Sequence, residues 1–166
     1  MGAVIVRRIH NSTRLCRIVE TEAYYGPWDP ASRAYRHRRG RIVERLRGPV
    51  GVLLIYGIHR QWLVNIIAHE PGDWGAVLLR ACEPLEGTPL DTPPKGPGRL
   101  SRALLIDKSL DGIPVYDPGS PVQVTKLMDD QTEVRVVRSK RVGVTMDLKE
   151  PLRFCLEGSK YLSKPC

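Results

Sequence analysis

The sequence is short of several things, and each shortage closes off a class of protein. It has no apolar run near the roughly 18 residues that a membrane-spanning helix needs. The opening MGAVIVRR offers only a brief apolar patch with no basic residue ahead of it, so it does not read as a signal peptide. Val6 stands where a myristoylation signal wants Ser or Thr. Cysteine is scarce and dispersed, at Cys16, Cys82, Cys155 and Cys166, and the histidines His10, His37, His59 and His69 are equally scattered. Zinc and dithiol redox sites are marked by close local pairs, so no metal and no cofactor are expected, and the cysteines read as free thiols of a reducing cytoplasm. No internal repeat and no linker breaks the 166 residues, which suits one domain with a real core.

What is present in excess is positive charge, and it is local. The chain carries a net +8, yet Arg33 to Arg47 alone holds seven arginines against one acid, Glu44. A concentrated patch of this kind points to a polyanion, and its bias to arginine suits bidentate phosphate contacts. Arg36, Arg38, Arg39 and Arg41 are the candidate backbone-binding residues; a merely solvated basic loop is the alternative. Arg135, Arg138, Lys140 and Arg141 form a second, smaller basic cluster.

The pattern of apolar residues predicts strands over Ala3–Arg8 and Arg14–Glu22, joined by a turn at His10–Thr13. Gly26 to Gly48 lacks a clean period and reads as a long loop with at most a short helix, a length that usually signals function or disorder. Gly51–Tyr56 and Trp62–Ala68 read as a hairpin with its tip at Gly57–Gln61, carrying Tyr56 at its shoulder and Arg60 on the tip. Asn65, an amide inside an apolar strand, must find partners, which makes it either a structural residue or a ligand-reading one. Gly75–Ala81 is a further strand, ended by Arg80. Four prolines stiffen Thr88–Pro97. A short helix follows, with Leu100, Ala103 and Leu104 inward and Ser101 and Arg102 outward. Strands are expected again at Val122–Lys126, Glu133–Val137 and Leu152–Leu156. The sum is an α+β fold, a single domain with a curved, mostly antiparallel sheet and few short helices.

The stretch RIVETEAYYGP, Arg17 to Pro27, stands apart. On a strand Glu20 and Glu22 share one face and Thr21 takes the other. Two glutamates on a strand can be a solvated edge, or a carboxylate held rigidly at a cleft. With IYGIH at Ile55–His59, WLVNI at Trp62–Ile66, AVLLRACEPLEG at Ala76–Gly87, GPGRLSRALLIDKS at Gly96–Ser109, and RVGV with PLRF between Arg141 and Phe154, the chain resembles the alkyladenine (3-methyladenine) DNA glycosylase family over about two thirds of its length. The resemblance implies excision of a damaged purine flipped out of double-stranded DNA, leaving an abasic site, by a protein that works wherever the DNA is, in the cytoplasm or a nucleus. It implies Glu22 as activator of the attacking water, Arg80 as its helper, Tyr24 as a stacking residue, Asn65 as a pocket residue and Tyr56 as the wedge that fills the gap. It offers no lysine nucleophile, so water is expected to be the nucleophile. A non-catalytic nucleic-acid binder on the same scaffold is the rival reading.

The departures from the family pattern bear on specificity. Arg33 stands where the family carries a pocket histidine, and Leu53 where it carries a second stacking aromatic. The hairpin is two residues longer, most simply by Arg60-Gln61. The family's preceding N-terminal helix is absent, so the Ala3–Val6 strand is expected to need another cover, from a second copy in a homodimer or from a segment of the same chain. A fixed charge at Arg33 is expected to favour neutral deaminated or etheno purines, hypoxanthine among them, over cationic methylated ones.

Overall fold

The computed structural model describes residues 1–37, 39–85, 88, 90–126 and 134–166. Arg38, one of the candidate backbone-binding residues, and Glu133, at the start of an expected strand, lie outside them. The spine is the long strand β2, Ser12–Tyr25, which pairs antiparallel with β1 (Val4–Ile9) through its first half, with β8 (Arg153–Leu156) at Glu20–Glu22, and with β5 (Gly75–Pro84) on its other side. β3 (Leu53–Ile58) and β4 (Gln61–Ile67) form a hairpin that extends the sheet beyond β5, and β6 (Val122–Thr125) closes the other edge against β1. β7 (Val136–Ser139) pairs with β8. Short helices α1 (Arg33–Arg36), α2 (Arg41–Arg45) and α3 (Pro97–Ala103) and a 3-10 turn at Lys108–Leu110 complete the described elements. The architecture is the α+β single domain with an antiparallel, curled sheet that the strand pattern predicts.

Alternation along the strands splits the apolar residues into two layers. On one face Ile5, Ile18, Leu53, Ile55, Val64 and Leu79 pack against Leu100 and Leu104 of α3. On the other, Leu54, Ile67 and Ala76 receive Ala34 of α1, Val43 of α2 and Leu46, which caps α2. Part of the segment expected to be loop therefore folds into two short helices because it has these three apolar anchors. Burying such a side chain contributes about 1.5–3 kcal/mol for the larger ones.

Several boundaries move. The hairpin tip is the two-residue turn His59-Arg60, both in the left-handed region (φ 48° and 61°), so strand pairing runs on through Ile58 and Gln61. Arg80 sits inside β5 rather than ending it. Ser101, expected outward, is buried, with its hydroxyl donating to the Gly98 carbonyl at 3.0 Å. The cysteines are not free. Cys16 and Cys82 are bonded across β2 and β5, with Cα atoms 5.5 Å apart, and Cys155 is bonded to Cys166. Sequence spacing misses the first bond because partners 66 residues apart in the chain lie side by side in the sheet. Nor is the first strand bare: Val4 and Ile5 are fully buried within one chain, Ile5 in the main core, while β6 covers the edge. The reason for expecting a homodimer through β1 therefore falls away.

Candidate active site

The sheet's alternation collects polar groups on one face. β2 contributes Glu20, Glu22 and Tyr24, β5 contributes Ala76, Leu78 and Arg80, β4 contributes Leu63 and Asn65, and β3 contributes Leu54, Tyr56 and Ile58. A bulge in β2 around Glu20 bends the strand, and beyond it both glutamates reach the same arginine. Together with Arg33 and Arg36 of α1 and residues 142–145, the last three strands and Tyr24 line a cavity of about 560 Å³.

Both glutamates are completely buried, which rules out the solvated edge. Arg80 donates from Nε to Glu20 Oε1 at 3.0 Å and from Nη1 to Glu22 Oε2 at 3.1 Å. Glu22 Oε2 also accepts from the Tyr24 hydroxyl at 2.8 Å, and Oε1 accepts from the Val142 N–H at 2.7 Å. Glu22 is thus beneath the cavity floor, and the three residues that bind it, Tyr24, Arg80 and Val142, form part of the wall. Burial pushes the Tyr24 hydroxyl pKa up, and the Glu22 carboxylate beside it pushes the same way. Around Glu20, burial opposes ionisation, but the N–H and hydroxyl of Ser163 and the Arg153 guanidinium hold its carboxyl below the usual range.

Arg141, read from sequence as part of a second, smaller basic cluster, is a buried clamp. It forms a two-pronged pair with Asp29, both contacts at 2.7 Å, a second ion pair with Asp147, and a bond to the Ala23 carbonyl. Its guanidinium lies 4.6 Å from the centroid of the Tyr24 ring. Burial works against the cation, but Asp29 and Asp147 outweigh it and raise its pKa. Asp29 in turn accepts from the N–H groups of Tyr25 and Ala31, fixing the loop that leads to Ser32, the N-cap of α1. This chain of contacts sets both Tyr24 and Arg33. No local signal in the sequence singles out Asp29; Arg141 lies in the RVGV segment but was legible only as charge.

Of the expected pocket residues, Tyr24, Arg33 and Asn65 line the cavity and Leu53 does not. Leu53 is fully buried in the main core, because in a strand it must face away from Leu54 and Tyr56. Tyr56 is three residues in from the turn and lines the cavity, with the Arg33 guanidinium 5.6 Å from its ring centroid. Burial raises its pKa, against the influence of Arg33 and Asn65. Asn65 spends its amide N–H groups on the Leu54 carbonyl at 3.0 Å and the Leu63 carbonyl at 3.4 Å. Arg36 is exposed, lines the cavity mouth and donates to the Thr145 hydroxyl at 2.7 Å; Arg39, Arg41 and Arg60 are exposed. Among the described residues no group of three His, Cys, Asp or Glu is arranged to hold a metal ion, and no helix is long and apolar enough to cross a membrane.

A buried carboxylate backed by arginine under a cavity with ample room for a purine, with arginines lining it, suits hydrolysis on a nucleic acid. Comparison with known proteins decides the matter. The family model for methylpurine-DNA glycosylase matches residues 1–160. The chain belongs to the methylpurine-DNA glycosylase family. A relative from Aeropyrum pernix is 51% identical over 164 residues, covering 99% of this chain and 84% of its own length. Relatives from Desulfitobacterium hafniense (37% identical, 98% of this chain, 89% of theirs) and Methanoculleus marisnigri (36%, 99% and 90%) are similar throughout. All three carry a provisional description as 3-methyladenine DNA glycosylases. The chain is accordingly a DNA glycosylase of repair, a hydrolase of N-glycosidic bonds with DNA as its substrate.

Proposed function

We propose that this glycosylase excises an alkylated or otherwise damaged purine extruded from duplex DNA into the cavity, using water activated by Glu22. The observation that carries the proposal is the Glu22 carboxylate, wholly buried beneath the cavity and bonded by Tyr24, Arg80 and Val142, which line it. Water entering between Tyr24 and Arg80 meets Oε2. Its oxygen bonds to the sugar C1′ as the C1′–N9 bond breaks, the bonding pair leaves with the purine, and Glu22 takes the water's proton. The negative carboxylate also stabilises the positive charge that builds on the sugar. Arg80 fixes the carboxylate's orientation. None of the described residues lining the cavity is a lysine, which favours water over a Schiff-base nucleophile.

The base stacks on Tyr24, whose far side is braced by Arg141. Tyr56, with Leu53 withdrawn into the core, supplies the second aromatic wall, and Arg33 and Asn65 complete the pocket. Penetration of the duplex then falls to the tip His59-Arg60 rather than to Tyr56. Arg36, Arg39 and Arg41 bind phosphates, and Arg38 belongs to the same run. Extruding the base costs a few kcal/mol, which these contacts offset.

The test is Glu22→Gln, which keeps shape and removes the proton acceptor. Single-turnover excision of 7-methylguanine or hypoxanthine from a duplex falls by about 10²–10⁴-fold, with affinity for DNA retained. Wild-type turnover by this variant overturns the assignment.

A further inference from the structure

The residues after the last strand meet the catalytic face from behind. The Ser163 N–H donates to Glu20 Oε2 at 2.6 Å and its hydroxyl to Glu20 Oε1 at 2.7 Å, while Arg80 Nη2 donates to the same hydroxyl at 3.2 Å. Arg80 therefore has each guanidinium nitrogen committed to a different residue: Nε to Glu20, Nη1 to Glu22 and Nη2 to Ser163. A planar guanidinium held at three corners cannot rotate, so Ser163 and Glu20 together decide where Nη1 points. Arg153 repeats the arrangement. Its Nε reaches Glu20 Oε1 at 2.8 Å, and its terminal nitrogens bond the carbonyls of Lys164 and Pro165. One residue further on, Cys166 is bonded to Cys155 of β8, a strand that pairs with β2 at Glu20. Residues 161–166 lie beyond the stretch matched by the family model.

We infer that residues 161–166 are a covalently latched backing for the catalytic base, in which Ser163 and Glu20 are positioning residues that act through Arg80 on Glu22. The inference rests on Glu22 being that base. Neither Ser163 nor Glu20 lines the cavity, and their bonds reach Glu22 through Arg80; their effect falls on the chemical step. Displacing a reacting group by about 1 Å is enough to cost up to about 100-fold in rate. The latch matters because the segment has no strand or helix of its own. The disulfide, rather than a sheet or helix ladder, ties its end to the sheet.

The experiment uses the full chain with Ser163→Ala, Ser163→Thr and Cys166→Ser, assayed by single-turnover excision of 7-methylguanine and hypoxanthine and by affinity for undamaged duplex. Ser163→Ala is expected to lower excision by about 10- to 100-fold with duplex affinity unchanged. Ser163→Thr, which keeps the hydroxyl, restores most of the rate, and Cys166→Ser gives an intermediate loss. Melting temperatures taken alongside show that each variant is folded at the assay temperature. Wild-type rates for Ser163→Ala and Cys166→Ser, with Glu22→Gln inactive, overturn the inference and leave the proposed function standing. Active Glu22→Gln instead removes the base assignment itself. A parallel fall in rate and affinity, not rescued by Ser163→Thr, makes the segment merely structural and also overturns the inference.

Discussion

Arg33, expected from the resemblance to replace a pocket histidine, lines the cavity. Its guanidinium lies against the Tyr56 ring, an interaction of about 0.5–2 kcal/mol, and the residue is half-buried. A purine that is already cationic meets a like charge there, while a neutral purine meets up to five N–H donors. Arg33→His removes the fixed charge. We expect the ratio of 7-methylguanine to hypoxanthine excision to rise in that variant, read by single-turnover rates on two otherwise identical duplexes. An unchanged ratio means that the guanidinium turns away to phosphate once DNA is bound. The buried Glu20 and Glu22 show the same economy at residue scale. Each carboxylate oxygen of both residues has a donor, and leaving one such charge unpaired costs about 3–5 kcal/mol.

At the scale of elements, the β3–β4 hairpin does two jobs, one with its strands and one with its tip. Tyr56 and Leu54 give it a face on the cavity, while His59 and Arg60 at its tip are exposed, His59 also bordering the cavity. Replacing both tip residues with glycine preserves the turn, since glycine accepts positive φ without strain. That change is expected to weaken binding to damaged duplex. Tyr56→Ala is expected to slow excision through lost stacking, worth about 1–3 kcal/mol, with affinity for undamaged duplex retained. If instead Tyr56→Ala abolishes binding and the glycine tip does nothing, Tyr56 is the wedge. The hairpin also marks how far the sequence could be read. Its existence, the apolar strands and the shared face of Glu20 and Glu22 follow from period-two patterning. Which face of β3 meets the cavity does not, because it depends on where the turn falls, and a turn displaced toward Gly57 leaves Tyr56 on the tip. Arg80 was legible as a strand residue near a cleft. Arg141 was legible only as a charge, since its two-pronged partner Asp29 lies 112 positions away in the chain. Ser163 gave no signal, because an ordinary serine gains its role only from a partner 143 positions away.

Across the whole molecule, two disulfides fasten β2 to β5 and β8 to the C-terminal segment. The first spans 66 residues, and closing a loop of that size in the unfolded chain is worth about 4 kcal/mol by loop entropy. Cys16→Ser with Cys82→Ser is expected to lower the melting temperature by about 8–16 °C, while excision at a temperature well below melting stays near wild type. Such bonds are rare in intracellular proteins of mesophiles and common in those of hyperthermophiles, and a DNA repair enzyme acts where its DNA is. The span between Glu20 and Ser163 has a further consequence, for the order of events during synthesis. Arg80 and its two glutamates are made early and late residues complete their bonding, so a nascent chain holding the whole DNA-facing hairpin still lacks a fixed base. Such a chain is expected to grip DNA before it can cut a glycosidic bond, and competence arrives in one step when residues 161–166 dock on the sheet.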